Sequence, residues 1–253
     1  MLHVDDVSLD FGGIKAIDSV SLEVQEGRCF GLIGPNGAGK TAMLNCVSGV
    51  YRPTSGAIRF RGESLLGLAP DQISARGVGR TFQSMEQFED FLVLDYLLVS
   101  RSAQFSTSTL LAALRWPSLR RRERDERARA GETLEKLGIA QYARHRLSEV
   151  PYGTQKLIDI ARVLCSAAPF VLLDEPTSGT TSGERPSISE ALDLLLADGR
   201  TVVVVDHDVD FVTRHAERVA ALDRGVLLAT GTSREVLADP VVRRIYLGLV
   251  NDG

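Results

Sequence analysis

Long apolar runs are missing from this chain. No stretch among its 253 residues approaches the roughly 20 apolar positions that a membrane-crossing helix needs. The opening Met1-Leu2-His3-Val4-Asp5-Asp6 lacks the basic start and apolar centre of a secretion leader. The expectation is a cytosolic protein or one peripheral to a membrane, not an integral one. Cysteine is scarce. Cys29, Cys46 and Cys165 share no metal-ligand spacing, and each sits in an apolar stretch. That weighs against a zinc site and a disulfide framework, and buried reduced thiols are expected. A basic excess is also missing. The net charge of −4 and pI near 5.7 weigh against nucleic acid as the main partner. There is no internal repeat and no low-complexity tract. What remains is an ordinary globular composition, 44% hydrophobic and 25% charged, long enough for one large domain with an insertion.

The most informative segment is Gly34-Pro35-Asn36-Gly37-Ala38-Gly39-Lys40-Thr41, which matches the P-loop pattern G-x-x-x-x-G-K-[ST]. The apolar run Cys29–Ile33 before it suits a buried strand, and Thr41 to Val50 after it suits a helix. Strand, glycine-rich loop and helix are the context the motif requires. The glycines let successive N–H groups point into one concavity, and the helix N-terminus adds partial positive charge. Lys40 is expected to reach the β- and γ-phosphates of a nucleotide, and the Thr41 hydroxyl to ligate Mg²⁺.

Around this motif the pattern divides. Val4–Phe11, Val20–Val24 and Ala57–Phe60 alternate as strands, which points to an antiparallel layer beside the P-loop core. From about 93 to 147 the character becomes helical. Leu94–Val99 is one helix, and Leu110–Lys136 is long and Arg/Glu-rich, with both signs at i,i+4 spacing as on a solvated face. Phe170–Leu173 and Thr201–Val205 are continuous apolar runs, as in parallel strands buried on both faces. Helices over Gln155–Ala167 and Ser187–Ala197 separate them. Thr232-Ser233-Arg234-Glu235 is a capping box, and a last helix is expected over Pro240–Leu247. The fold class is α/β: one domain over 1–253, with a P-loop NTPase core (1–92 and 148–253) and an inserted α-helical subdomain (about 93–147).

The run Phe170–Leu173 ends in Asp174-Glu175. An Asp at a strand end beside a P-loop can hold Mg²⁺, and the neighbouring Glu can polarise the water that attacks the γ-phosphate. With Pro176-Thr177-Ser178-Gly179 following, the chain resembles the ATP-binding subunits of ABC transporters over essentially its whole length. The resemblance implies further site residues. Gln83, in Gly79-Arg80-Thr81-Phe82-Gln83, matches the glutamine that senses Mg²⁺ and the attacking water and links nucleotide to the membrane subunit. His207, in Val205-Asp206-His207-Asp208, matches the switch histidine on the γ-phosphate, and Phe11 the aromatic that stacks on adenine. The catalytic set is then Glu175, His207 and Gln83. ATP contacts come from Phe11, the loop Gly34 to Thr41, Ala42, Tyr152 and Gly153. The Mg²⁺ set is Thr41, Gln83 and Asp174.

Three places depart from the family pattern. The signature L-S-G-G-Q aligns with Val150-Pro151-Tyr152-Gly153-Thr154, where Pro151 has neither hydroxyl nor N–H. The loop usually written S-[AG]-L-D reads Ser178-Gly179-Thr180-Thr181. Ala42 replaces a hydroxyl residue that often touches the α-phosphate. Tyr152, the Arg80-Thr81-Phe82-Gln83 loop and the tail through Tyr246-Leu247-Gly248 resemble the branched-chain and hydrophobic amino-acid uptake branch. The resemblance implies partners: integral membrane permease subunits, a second ATPase subunit (the same chain or a paralogue) and, indirectly, an extracytoplasmic solute-binding protein. It places the chain on the cytoplasmic face of the membrane. The Ser84-Met85-Glu86-Gln87-Phe88 loop is the expected docking surface, with exposed Met and Phe. Other readings are a transporter for another solute, such as urea or a small organic acid, a soluble ABC ATPase of DNA repair or translation, and a P-loop kinase. The soluble ATPases usually carry a coiled coil or a second cassette. A kinase does not explain Gln83, Gly153 and His207 together.

Overall fold

The computed structural model describes residues 1–82, 85–102 and 117–247. It contains two compact units. One spans Met1–Arg80, Pro169–Ser178 and Leu195–Gly253, and the other Thr81–Ala168 and Gly179–Leu194.

The first unit is built on two sheets. Strands β1 (Leu2–Phe11), β2 (Ile14–Val24), β4 (Ser55–Phe60) and β5 (Glu63–Ser64) form an antiparallel sheet in the order β2-β1-β4-β5. Most of its apolar positions, among them Val4, Val7, Leu9, Val20 and Ile58, are buried, whereas Phe11 and Ile14 beside the β1–β2 turn are exposed. The second sheet runs β10 (Val226–Thr232), β9 (Arg218–Asp223), β3 (Cys29–Ile33), β8 (Thr201–Val205), β7 (Phe170–Asp174) and β6 (Val78–Arg80). All its pairings are parallel except β9 with β10. Every residue of β3, β7 and β8 is buried, which explains why these strands read as unbroken apolar runs rather than alternating ones. Helix α1 (Lys40–Val47) follows β3 and places Met43, Leu44 and Val47 in a core that both sheets share. It ends three residues short of the expected Val50, because Gly49 turns left-handed at φ +75° and the Val50 N–H folds back onto the Asn45 carbonyl at 2.9 Å.

The second unit contains α3 (Val93–Ser102), α4 (Pro117–Lys136), α5 (Tyr152–Cys165) and most of α6 (Arg185–Ala197); a short α2 (Pro70–Ala75) precedes them in the first unit. The expected start of the long helix at Leu110 lies outside the described residues. On α4, Arg127 pairs with Glu123 at 3.6 Å one turn back and with Asp95 of α3 at 2.9 Å. The interior is pinned by a buried ion pair. Asp159 of α5 accepts from Arg162 Nε at 2.8 Å, from Tyr96 Oη at 2.7 Å and from the Phe82 backbone N–H at 2.5 Å. The Arg162 guanidinium lies 4.3 Å from the centre of the Phe82 ring. Burial, with Asp159 alongside, raises the Tyr96 phenol above its ordinary range.

Helices α7 (Val209–His215), α8 (Ser233–Ala238) and α9 (Pro240–Leu247) complete the first unit. The capping box at the head of α8 forms as expected, Thr232 with Glu235. Cys29 and Cys46 are buried and Cys165 partly so, and burial pushes the Cys46 thiol up to about 12. Among the described residues no helix is long and apolar enough to cross a membrane.

Candidate active site

Parallel pairing brings the ends of β3, β7 and β8 to one edge of the sheet, where ligand sites of open α/β sheets are built. From β3 the chain enters the loop Gly34 to Gly39. Gly39 has φ +99° and caps α1, and a Cβ there would stand 2.5 Å from the Ala16 carbonyl oxygen. The loop can make this turn only with glycine in the left-handed region against another backbone. Lys40, 5% exposed, folds back and donates from Nζ to the carbonyls of Gly34 (2.6 Å) and Pro35 (2.9 Å). Burial lowers its ammonium pKa below the ordinary range, while the carboxylates of Glu175, Asp174 and Asp206 pull it up.

Asp174 is the last residue of β7 and is almost wholly buried. Its Oδ1 accepts from Thr41 Oγ1 at 3.4 Å, and its Oδ2 from Arg80 Nη2 at 2.9 Å. Thr41 and Asp174 therefore face each other with a hydroxyl and a carboxylate, the hard oxygen donors that Mg²⁺ takes. Glu175 follows with φ +49°, a left-handed conformation uncommon outside glycine, and its N–H is tied to the Val205 carbonyl at 2.7 Å. That backbone turn is what carries the half-buried Glu175 off the strand end. After β8, the fully buried Asp206 accepts from Thr177 N (2.9 Å), Thr177 Oγ1 (2.8 Å) and Asp208 N (3.0 Å). His207 stays half exposed, with Nδ1 3.3 Å from Asp206 Oδ1. Phe11, 48% exposed, ends β1 with its ring 5.1 Å from Tyr51, edge to face. Ala42 is partly buried against the core.

Lys40, Thr41, Asp174, Glu175, His207 and Phe11 thus belong to the first unit. Gln83 lies outside the described residues. Tyr152 and Gly153 belong to the second unit, at the head of α5. Pro151 caps that helix without a side-chain bond. A Cβ on Gly153 would stand 2.2 Å from the Glu184 carboxylate, and one on Gly179 would stand 2.6 Å from the Tyr152 ring. Glu184 Oε2 accepts from Thr181 N (2.8 Å) and Oγ1 (2.9 Å). Those bonds hold its carboxyl below the ordinary range. Phe88, expected to be exposed, is half-buried: its ring packs against Phe82, Phe91 and Tyr96 at 5.2 to 5.7 Å. Sequence reasoning missed three supporting residues, Arg80, Thr177 and Asp206. The acid before His207 was the one available signal.

A P-loop between a buried strand and a helix, with two acids at the end of a parallel strand two places along the same sheet, defines a nucleotide-binding ATPase. Comparison with known proteins makes this definite. The family described as ABC transporter matches residues 17–178. The high-affinity branched-chain amino acid transport ATP-binding protein LivG of Salmonella typhimurium is 37% identical, over 98% of this chain and 98% of its own. Among solved structures, an ATP-binding cassette of an ABC transporter in its ADP conformation superposes with a TM-score of 0.84 at 27% identity, covering 98% of each chain. A dimeric cassette in a post-hydrolysis state, bound to ADP and phosphate, gives 0.77 at 26% identity over 92% of this chain and 99% of that one. The chain belongs to the ABC transporter family, as one of its ATPase cassettes.

Proposed function

We propose that the chain is the ATP-hydrolysing subunit of a membrane importer for branched-chain or other hydrophobic amino acids. The observation that carries this reading is the likeness to LivG over 98% of both chains. In this reading Lys40 exchanges the carbonyls of Gly34 and Pro35 for the β- and γ-phosphates of ATP. The backbone N–H groups of Gly34 to Thr41 and Ala42 cradle the phosphates, and Phe11, braced by Tyr51, stacks on adenine. Thr41, Asp174 and Gln83 are the residues that would hold Mg²⁺, whose chemistry there is to neutralise charge on the phosphate oxygens. Glu175 orients or deprotonates the attacking water, and His207, braced by Asp206, contacts the γ-phosphate.

Two such subunits sandwich ATP head to tail, so Tyr152 and Gly153 serve the site of the second subunit. The second subunit is another copy or a paralogue. Pro151, Thr180 and Thr181 sit where the family places its cross-dimer contacts, so closure by this chain alone is weak and depends on its partners. Integral permease subunits hold the chain at the cytoplasmic face of the membrane. A groove of about 420 Å³, lined among others by Phe82, Met85, Glu86, Leu147, Tyr152 and Gln155, suits a short permease helix. A solute-binding protein outside the membrane delivers the amino acid. Proteoliposomes holding the whole transporter test the reading. ATP-driven leucine uptake is expected with the parent chain and not with Glu175→Gln. Uptake of urea or an organic acid in place of leucine overturns the branch, and leucine uptake undiminished by Glu175→Gln overturns the catalytic reading.

A further inference from the structure

Arg80 closes β6 and directs its guanidinium at three acceptors. Nη1 donates to Asn45 Oδ1 at 2.6 Å and to Ser48 Oγ at 2.7 Å, and Nη2 donates to Asp174 Oδ2 at 2.9 Å. Asn45 lies in the last turns of α1 and Ser48 caps it. The same helix begins at Lys40 and Thr41, and Thr41 meets the other oxygen of Asp174. The pair is withdrawn from water, with side chains 18% and 1% exposed. One fork therefore ties the end of β6, the phosphate-loop helix and the acid of β7 into a single hydrogen-bonded unit.

We propose that Arg80 is a positioning residue for Asp174. It fixes the plane of the carboxylate so that one oxygen is held by the guanidinium and the other is turned to Thr41. This rests on the reading above that Asp174 helps to hold Mg²⁺. Geometry and charge act in opposite directions here. A guanidinium beside a cation site repels the cation, so by charge alone its removal would tighten metal binding. Its fork, however, holds one oxygen of a buried carboxylate whose other oxygen meets Thr41, and without that bond the carboxylate is freer to rotate out of this alignment. Outer partners that orient metal-ligating groups are worth about 10–100-fold in metal affinity when removed. The orienting effect should therefore prevail. A lysine keeps the charge but cannot span Asn45, Ser48 and Asp174 together, because its ammonium is a single point on a flexible stem.

The test titrates Mg²⁺ into the full-length chain saturated with the fluorescent analogue mant-ATP, starting from EDTA. For Arg80→Met the Mg²⁺ midpoint should rise by about tenfold or more, the scale of a lost orienting partner. Arg80→Lys should raise it in the same direction. Mant-ATP affinity in EDTA should stay within about twofold in both, since phosphate contacts and base stacking are untouched. Should Arg80→Met fail to fold, Arg80→Lys and Asn45→Ala carry the same test, each loosening the fork with the charge retained. A midpoint unchanged or lowered by the Arg80 variants, while Asp174→Asn raises it, overturns the positioning role and leaves the metal reading standing. A midpoint that neither the Arg80 variants nor Asp174→Asn moves overturns the metal reading, and the proposal with it. Loss of mant-ATP binding in EDTA by folded Arg80 variants reduces Arg80 to a support of the phosphate loop, and also overturns the proposal.

Discussion

The two compact units hold their polar residues by different means. In the first, Asp174 and Asp206 stand at the ends of fully buried parallel strands, and the sheet itself fixes where they point. In the second, the head of α5 and the turn through Thr181 lie at the surface. They are held by side chains: Thr181 on Glu184, the Tyr152 ring against Gly179, and Gln155 Nε2 on the carbonyls of Leu147 and Val150 at 2.9 Å. The difference teaches where substitution can be absorbed. A strand-end acid has no local substitute, and Asp174 and Glu175 follow the family pattern. A surface turn can be re-capped by its neighbours, and the departures Pro151, Thr180 and Thr181 fall there. Chemistry and closure should therefore separate by mutation.

The largest separation is expected from Glu175→Gln. It should still bind Mg-ATP but lose about 10²–10⁴-fold in turnover, the range of a lost general base, read as phosphate release by the assembled transporter. Lys40→Ala should follow, weakening nucleotide binding by about 10–100-fold, since hydrogen bonds to a charged donor are worth about 1.5–3 kcal/mol. Calorimetry with ATP measures it, and equal affinities would break the whole core reading. Phe11→Ala should weaken ATP by about 1–3 kcal/mol, as for other base–aromatic contacts, and it should weaken a triphosphate without a base hardly at all.

Changes in the second unit should leave nucleotide affinity alone. Restoring Asp at position 181 would set it against the Glu184 carboxylate, which already accepts two bonds there. Thr180→Leu with Thr181→Asn avoids that repulsion and should raise ATP-dependent dimerisation several-fold, on the order of one recovered polar contact. Glu184→Gln should have the smallest effect. A folded-state carboxyl pKa below the ordinary 4.5 stabilises the native state above that value. The parent should therefore melt slightly higher than the variant at neutral pH, and the gap should close as pH falls through 4.5 and below. A gap that widens in acid contradicts the capping role.

How much of this was legible in the sequence follows the same division. The P-loop, β7 and β8 are written in contiguous residues, and an apolar run ending in Asp174-Glu175 carries its own register. The helix ends over 240–247 and the Thr232 cap are local chemistry as well. The β9–β10 hairpin was not legible. It turns through Arg224 and Gly225, both at positive φ, and an arginine gives no turn signal at the first of those positions. In the sequence Arg80 reads only as part of a loop, because Asn45, Ser48 and Asp174 lie 32 to 94 residues away and no spacing rule reaches them. Phe88 read as exposed because its neighbours are polar, yet three rings from nearby turns and α3 close around it.

Together these features describe a competent nucleotide site on a chain that is expected to close poorly by itself. The most direct measurement is light scattering of the full-length Glu175→Gln chain, purified alone, at saturating Mg-ATP, with bound nucleotide counted in the same sample. One ATP per chain on a monomer is expected. A stable ATP-bound dimer of this chain alone, or a chain that binds no ATP, would contradict it.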